Sequence, residues 1–303
     1  MSIVDRKKNE ILKEESLNKS FLSAKLNELN IECKIFKDDF YCDSFNYFPI
    51  SKKLETFNEL FSWQTDNPIE HFYSEQFFEY FKKNIEKFKI IKNSFILGSS
   101  PGDNYFTNLI YFLPRIFFNN QDEIRLCIHR NLSNKFRKFI LEICNNLNKK
   151  LSFVYLDDDF YFFKDCLIPQ FISLKNSNKI LNHFVNTSEK NKKKLKIYIS
   201  RQNTDYRNVV NEDDLIKLLK SKGYRIIDPN AFNIIDQISF FSNAEVVISP
   251  TGSNLANIIF CKPGTKIVEI APAFKEKYEF NLSKRYQILS KINGLEHSII
   301  NAD

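Results

Sequence analysis

The chain has 303 residues, of which 43% are hydrophobic, enough to bury a core and to form two domains of ordinary size. That excludes a disordered chain, and 44 Lys and Arg against 37 Asp and Glu leave a net charge of +7. Such a surplus suits a nucleotide, a lipid diphosphate or an acidic membrane surface, and is equally what a solvated surface carries; nucleic acid is not expected, because no basic helix or aromatic strand motif gathers the charge.

The segment Met1–Glu10 is charged and lacks the apolar centre of a signal peptide, and no run approaches the roughly 18 apolar residues of a membrane span. The expected location is the cytoplasm, with room for a peripheral contact with the inner membrane surface. Cys33, Cys42, Cys127, Cys144, Cys166 and Cys261 show no Cys-x-x-Cys spacing and sit mostly in apolar patterns, so buried free thiols are expected. Cys33 and Cys42 could face each other across a hairpin, but a reducing compartment argues against a disulfide. His71, His129, His183 and His297 are scattered, and no structural metal is expected.

From about Lys7 to Leu29, apolar residues near helical spacing predict one amphipathic helix laid on the first domain. Residues 31–50 read as short strands, and Phe57 to Phe88, with Trp63 and many Phe, reads as helical. A first parallel unit begins at Ser94–Leu97. The turn Gly98-Ser-Ser-Pro-Gly-Asp103 leads into a helix bearing Leu109, Leu113 and Ile116, followed by a strand at Ile124–His129, a helix at Ser133–Leu147 and a strand at Leu151–Leu156. The glycine turn is neither a dinucleotide fingerprint nor a phosphate loop, and it is read as one wall of a cleft. Asp157-Asp-Asp159 is read as a solvated loop, since adjacent side chains leaving a strand point different ways. The polar stretch from Phe171 to Lys194 reads as a linker.

The second unit carries the most information. Leu195–Ile199 is a strand, and Asn211 to Asp214 caps a helix with Leu215, Leu218 and Leu219 that Gly223 stops. Tyr224–Asp228 is a strand, and Asn233 caps the next helix. Val246–Ile248 is a strand that ends in Ser249-Pro-Thr-Gly-Ser-Asn254 and runs into an apolar helix; Lys266–Ile270 is the last strand predicted. This alternation predicts α/β architecture, with parallel sheets flanked by helices and ligands at the carboxyl ends of the strands. The small-residue turn into a helix suits phosphate. A dehydrogenase is disfavoured, because the turn after Ile199 holds no glycine.

The ordered series Ile199-Ser-Arg201, Arg207, Asn211-Glu212, Asp236-Gln-Ile238, Ala244–Ile248, Thr251-Gly-Ser-Asn-Leu-Ala-Asn257, Ile259-Phe260, Pro263-Gly264 and Val268-Glu-Ile270 resembles glycosyltransferase family 61. Upstream, Asn104-Tyr-Phe-Thr-Asn-Leu-Ile-Tyr-Phe-Leu-Pro-Arg115 is similar to that family's Asn-aromatic-aromatic-His-Trp-x-x-Asp-x-Leu-Pro-Arg segment. Thr107 and Asn108 replace its His-Trp, Tyr111 replaces its Asp, and Thr251 replaces the His of its Gly-x-His-Gly turn.

The resemblance implies two Rossmann-like domains facing across a cleft, the GT-B type. The expected division is an acceptor-side domain over 1–175 and a nucleotide-sugar domain over 190–303. It also implies an inverting transfer, without a cofactor, from a nucleotide-sugar to a glycan or lipid-linked glycan acceptor of capsule or O-antigen type, and the lack of separated carboxylates near the phosphate turn, with arginines and helix-terminus donors there, predicts that no divalent ion is needed. Arg201 and Arg207 are expected to neutralise the diphosphate. Thr251, Gly252, Ser253 and Asn254 are expected to offer it hydroxyl and backbone donors, or else to serve as an ordinary helix cap. Asn257 would pin that turn, and Glu269 would accept from ribose hydroxyls or pair with a Lys. With Thr107 unable to act as a base, Asp103 is the first candidate and His129 the second; the competing role for Asp103 is capping the helix it opens. Two other readings remain: a polysaccharide-modifying transferase such as a pyruvyltransferase, and a sugar-nucleotide-binding assembly subunit without catalysis.

Overall fold

The computed structural model describes residues 13–14, 21–33, 35–43, 49–51, 75–98, 103–157, 159–186, 194–204, 209–272 and 277–302. Arg207, Trp63 and most of the glycine turn after Gly98 lie outside these residues. The chain divides into two compact units, Met1–Ser177 and Asn178–Asp303.

The first unit is built on an eight-stranded mixed sheet. Its parallel part comprises β4 (Lys89–Lys92), β5 (Phe95–Ile96), β6 (Glu123–His129), β7 (Lys150–Leu156) and β8 (Phe160–Pro169). To β8 is added β2 (Ile35–Asp43), running antiparallel, with β3 (Pro49–Ser51) and β1 (Lys13–Glu14) on β2 in turn. The sequence pattern missed β8, yet this aromatic-rich strand sits at the middle of the sheet, where Tyr161, Phe163, Cys166 and Ile168 are buried. Asn93 (φ 49°) and Asp165 (φ 51°) break two neighbouring strands at one level, where Asn93 N donates to Lys164 O at 3.1 Å. Asn and Asp are the residues that tolerate this left-handed backbone.

Of the helix expected over 7–29, residues 7–12 and 15–20 lie outside the described residues, and 13–14 form a strand instead. Lys13 and Glu14 pair with Lys37 and Phe36, and the helix α1 spans Phe21–Glu28. The other helices of this unit are α2 (Glu75–Asn84) and α3 (Asn134–Asn146), which Ser133 caps by accepting from Phe136 N at 3.3 Å. From Tyr105 to Phe118 the chain passes from α to π to 3-10 winding. Within that run Arg115 is fully buried, donating to Leu97 O at 2.6 Å and to Pro169 O, with its guanidinium 4.1 Å from the Phe171 ring centre. The family-like Leu-Pro-Arg ending therefore ties together the segments that follow β5 and β8. All six cysteines are buried, and none is in a disulfide.

The second unit holds a five-stranded, wholly parallel sheet in the order β10 (Arg225–Ile227), β9 (Leu195–Ile199), β11 (Ala244–Pro250), β12 (Lys266–Pro272), β13 (Glu296–Ala302). Tyr198 packs on Ile216 and Leu219 of α5 (Glu212–Ser221). Before it, α4 (Leu174–Phe184) occupies the stretch read as a linker. Asn182, on α4, and Asn186, just past its end, donate to Ile259 O and Phe260 O at 2.8 and 3.3 Å. On α7 (Lys277–Ile292) follows Asn293, which donates to Ile258 O, Ile259 O and Cys261 O. These amides satisfy the carbonyls that end the helix Ser253–Phe260, groups a helix cannot pair internally. Between β10 and β11 lies α6 (Ile234–Ser242), capped by Asn233, whose side chain accepts from Asp236 N at 2.7 Å.

Candidate functional site

The chain leaves β9 for β10 on one side and reaches β11 on the other, so adjacent strands β9 and β11 send their following loops in opposite directions. Open parallel sheets bind ligands at such a switch point. Arg201 follows β9 and Thr251 follows β11.

Arg201 is buried, 6% exposed, and its backbone N donates to Glu212 Oε1 at 2.8 Å. The same carboxylate oxygen accepts from the Tyr198 hydroxyl at 2.8 Å. Burial, with the Glu212 charge beside it, pushes the Tyr198 hydroxyl pKa well up, so it stays a donor. A Cβ built on Gly252 would stand 2.1 Å from Arg201 Nη1. Gly252 has extended backbone (φ 179°), open to any residue, so what a side chain there would displace is the Arg201 guanidinium. The strand-end arginine and the turn after β11 are thus pressed together.

The turn is held from below. Thr251 N donates to Ile270 O at 2.9 Å, and Thr251 Oγ1 donates to Glu269 Oε1 at 2.6 Å. Glu269 is fully buried, and its second oxygen meets His297 Nε2 at 3.1 Å. Glu269 thus bonds both the turn and an imidazole. Ser253 and Asn254 are half-buried at the head of the 3-10 helix, with no side-chain cap bond from Gly252. Asn257 is fully buried and donates to Gln237 Oε1 at 3.4 Å, while Gln237 Nε2 donates to Pro229 O and Phe232 O. Asn257 thus ties the helix to the loop after β10. The structure brings Arg201, Thr251, Gly252 and Glu269 together, adds Glu212, Tyr198 and His297, and leaves Arg207 outside the described residues. His297 gave no signal in the sequence because β13 itself was not recognised.

In the first unit Asn104, not Asp103, caps the 105–118 run, accepting from Thr107 N at 3.1 Å. Asp103 stands one residue earlier in left-handed backbone (φ 48°) and accepts from Asn108 Nδ2 at 3.1 Å. Burial raises its carboxyl pKa above the usual carboxylate value, against the opposing effect of hydrogen bonds from Ser133 and the charge of Arg137. His129 ends β6 and is 1% exposed, and its Nδ1 accepts from Asn131 N at 3.2 Å. Thr107 and Asn108 are buried, and Tyr111 is half-buried.

Among the described residues no group of three or more His, Cys, Asp or Glu is placed to hold a metal ion, and no helix is long and apolar enough to cross a membrane. Residues 169–268, from the end of β8 into β12, match the family model described as Glycosyltransferase 61. No curated protein matches the chain.

Proposed function

We propose that this chain, whose residues 169–268 match the Glycosyltransferase 61 family model, is a glycosyltransferase that moves a sugar from a nucleotide-sugar to a bacterial surface glycan acceptor of capsular or O-antigen type, inverting the anomeric centre without a metal. The observation that carries this reading is the Arg201 guanidinium lodged against the Gly252 turn at the switch point of a parallel sheet. A departing nucleoside diphosphate needs positive charge and oriented donors. Arg201 supplies the charge in planar, permanently ionised form. The Thr251 hydroxyl hydrogen is directed at Glu269, so Gly252, Ser253 and Asn254, at the head of a helix whose first amides have no internal partner, are the donors left for phosphate.

In this reading the division of labour is that of GT-B enzymes, with the donor on the C-terminal unit and the acceptor on the N-terminal one, and the protein works in the cytoplasm at the inner membrane face. Asp103 is the base: it takes the proton of the acceptor hydroxyl as that oxygen attacks the anomeric carbon and the nucleoside diphosphate leaves. Its raised pKa brings it nearer the working pH, and it is free of the capping role. Calorimetry with UDP, GDP, CDP and ADP tests the donor site. One of them should bind, and Arg201→Ala should weaken it by more than about tenfold, as loss of a charge-assisted contact does. The replacement of both family histidines, at Thr107 and Thr251, favours a second reading, a sugar-nucleotide-binding subunit without catalysis. A protein that binds a nucleotide-sugar and transfers nothing to any acceptor would support it.

A further inference from the structure

Four side chains form an unbroken line of hydrogen bonds beneath the turn. Ser290 Oγ, on α7, lies 2.9 Å from His297 Nδ1, on β13. His297 Nε2 lies 3.1 Å from Glu269 Oε2, on β12, and Glu269 Oε1 accepts from Thr251 Oγ1 at 2.6 Å, just past β11. Every member is buried or nearly so: Ser290 is 1% exposed, Glu269 0%, Thr251 1%, and the His297 side chain 6%. The line crosses three adjacent strands and stops at the residue before Gly252.

With Glu269 as a carboxylate, both its oxygens accept: one from the Thr251 hydroxyl, the other from His297 in the tautomer that carries its hydrogen on Nε2. The carboxylate thus faces the imidazole on one side and the turn on the other. Loss of the imidazole leaves a buried carboxylate short of a donor, and its contact with the Thr251 hydroxyl, which also lies 3.4 Å from Ile270 O, is one that such a change shifts. The next residue, Gly252, lies so close to Arg201 that a Cβ on it would stand 2.1 Å from Nη1, so a shift of the turn changes the seat of the guanidinium.

We infer that His297 is a positioning residue: acting through Glu269 and Thr251, it fixes the turn in the form that receives Arg201 and the nucleoside diphosphate. The ligand part of this inference rests on the proposed function; the conformational part does not. The edge strand β13 and helix α7 thereby acquire a role at the site although neither carries a strand-end residue of it.

Two conservative variants separate the relay from simple stabilisation. Glutamine places an amide nitrogen near the Nε2 position and can still donate to Glu269, whereas asparagine reaches only the Nδ1 position beside Ser290. His297→Asn should weaken the bound nucleoside diphosphate among UDP, GDP, CDP and ADP by about tenfold or more at a temperature where the variant is folded, and should shift the Gly252 and Ser253 amide resonances in the ¹H–¹⁵N spectrum. His297→Gln should stay within about threefold of the parent and leave those resonances near their parent positions. The inference is overturned if His297→Asn is folded and matches the parent in affinity and in both resonances, or if the two variants lose affinity equally. If the parent binds none of the four nucleotides, the donor-site reading fails on its own, and the amide shifts alone decide the relay: moved in the Asn variant and unmoved in the Gln variant supports it, and any other pattern overturns it.

Discussion

Replacing Gly252 with alanine perturbs the proposed donor site without touching a ligand-binding side chain. The new Cβ would lie 2.1 Å from Arg201 Nη1 and 3.3 Å from its Cζ, while the nearest other atom, Pro250 O, is 3.9 Å away. The one group that must move is the far end of a flexible side chain. At φ 179° alanine is unstrained, and it removes backbone freedom from the unfolded chain, an effect of about 0.4–1 kcal/mol in favour of folding that offsets part of the displacement. The fold should therefore survive, with a melting shift of no more than about 4 °C in either direction. Binding should not survive intact. A charge-assisted hydrogen bond contributes about 1.5–3 kcal/mol, so expelling the guanidinium should weaken nucleoside diphosphate binding by about tenfold to a hundredfold. The assay is calorimetric titration of the parent, Gly252→Ala, Arg201→Ala and the double variant. If glycine is there to admit the arginine, the double variant binds no worse than Arg201→Ala, because contacting residues couple. Parent-like affinity in Gly252→Ala would refute the reasoning, as would a Gly252→Ala loss of the same size whether or not Arg201 is present.

Asp103→Asn should keep nucleotide affinity and melting temperature and lose about 100-fold or more in turnover, measured by product formation, since Asn cannot accept the proton. In the parent, turnover should fall with acid at a pH above the usual carboxylate range, because burial raises the Asp103 pKa and the group must be ionised to act; a rate flat down to pH 4 would exclude it as the base. Transfer should persist in excess chelator, with Arg201 and the turn meeting the leaving diphosphate, and loss of activity restored by Mg²⁺ would contradict this. Burial pushes the Cys33 and Cys127 thiols up to about 12 and those of Cys144 and Cys166 up to about 11, so alkylation at pH 8 should label almost no thiol in the folded protein and all six after unfolding.

What the sequence displayed and what it hid divide along a physical line. Strands β9, β11 and β12 were legible because each is a short β-branched run ending in a polar turn, and the helices between them carry an apolar stripe. The stripe misled at 7–29, where it spans the edge pairing of Lys13–Glu14 and a separate helix. Residues 174–184 of the stretch read as a linker are helical, and Asn182 and Asn186 use their amides on the carbonyl end of the helix Ser253–Phe260, which makes the segment look polar in sequence. For the same reason β8 was missed, since Lys164 and Asp165 break the apolar run at the left-handed bend.

The site divides likewise. Arg201, Thr251 and Gly252 could be placed at strand ends from pattern alone, because chain order fixes which residue follows a strand. Their purposes could not, because purpose depends on neighbours distant in sequence. Gly252 is glycine on account of a residue 51 positions earlier, Thr251 spends its hydroxyl on Glu269, and Glu269 answers to His297 on a strand the pattern did not reveal. Strand order is the missing information: only when β11 is known to lie between β9 and β12, with β13 beyond, do these residues become one arrangement. It follows that a substitution at His297, 45 positions beyond Gly252, should couple to Gly252 in a double-mutant cycle of nucleotide affinity, because Glu269 and Thr251 join the two.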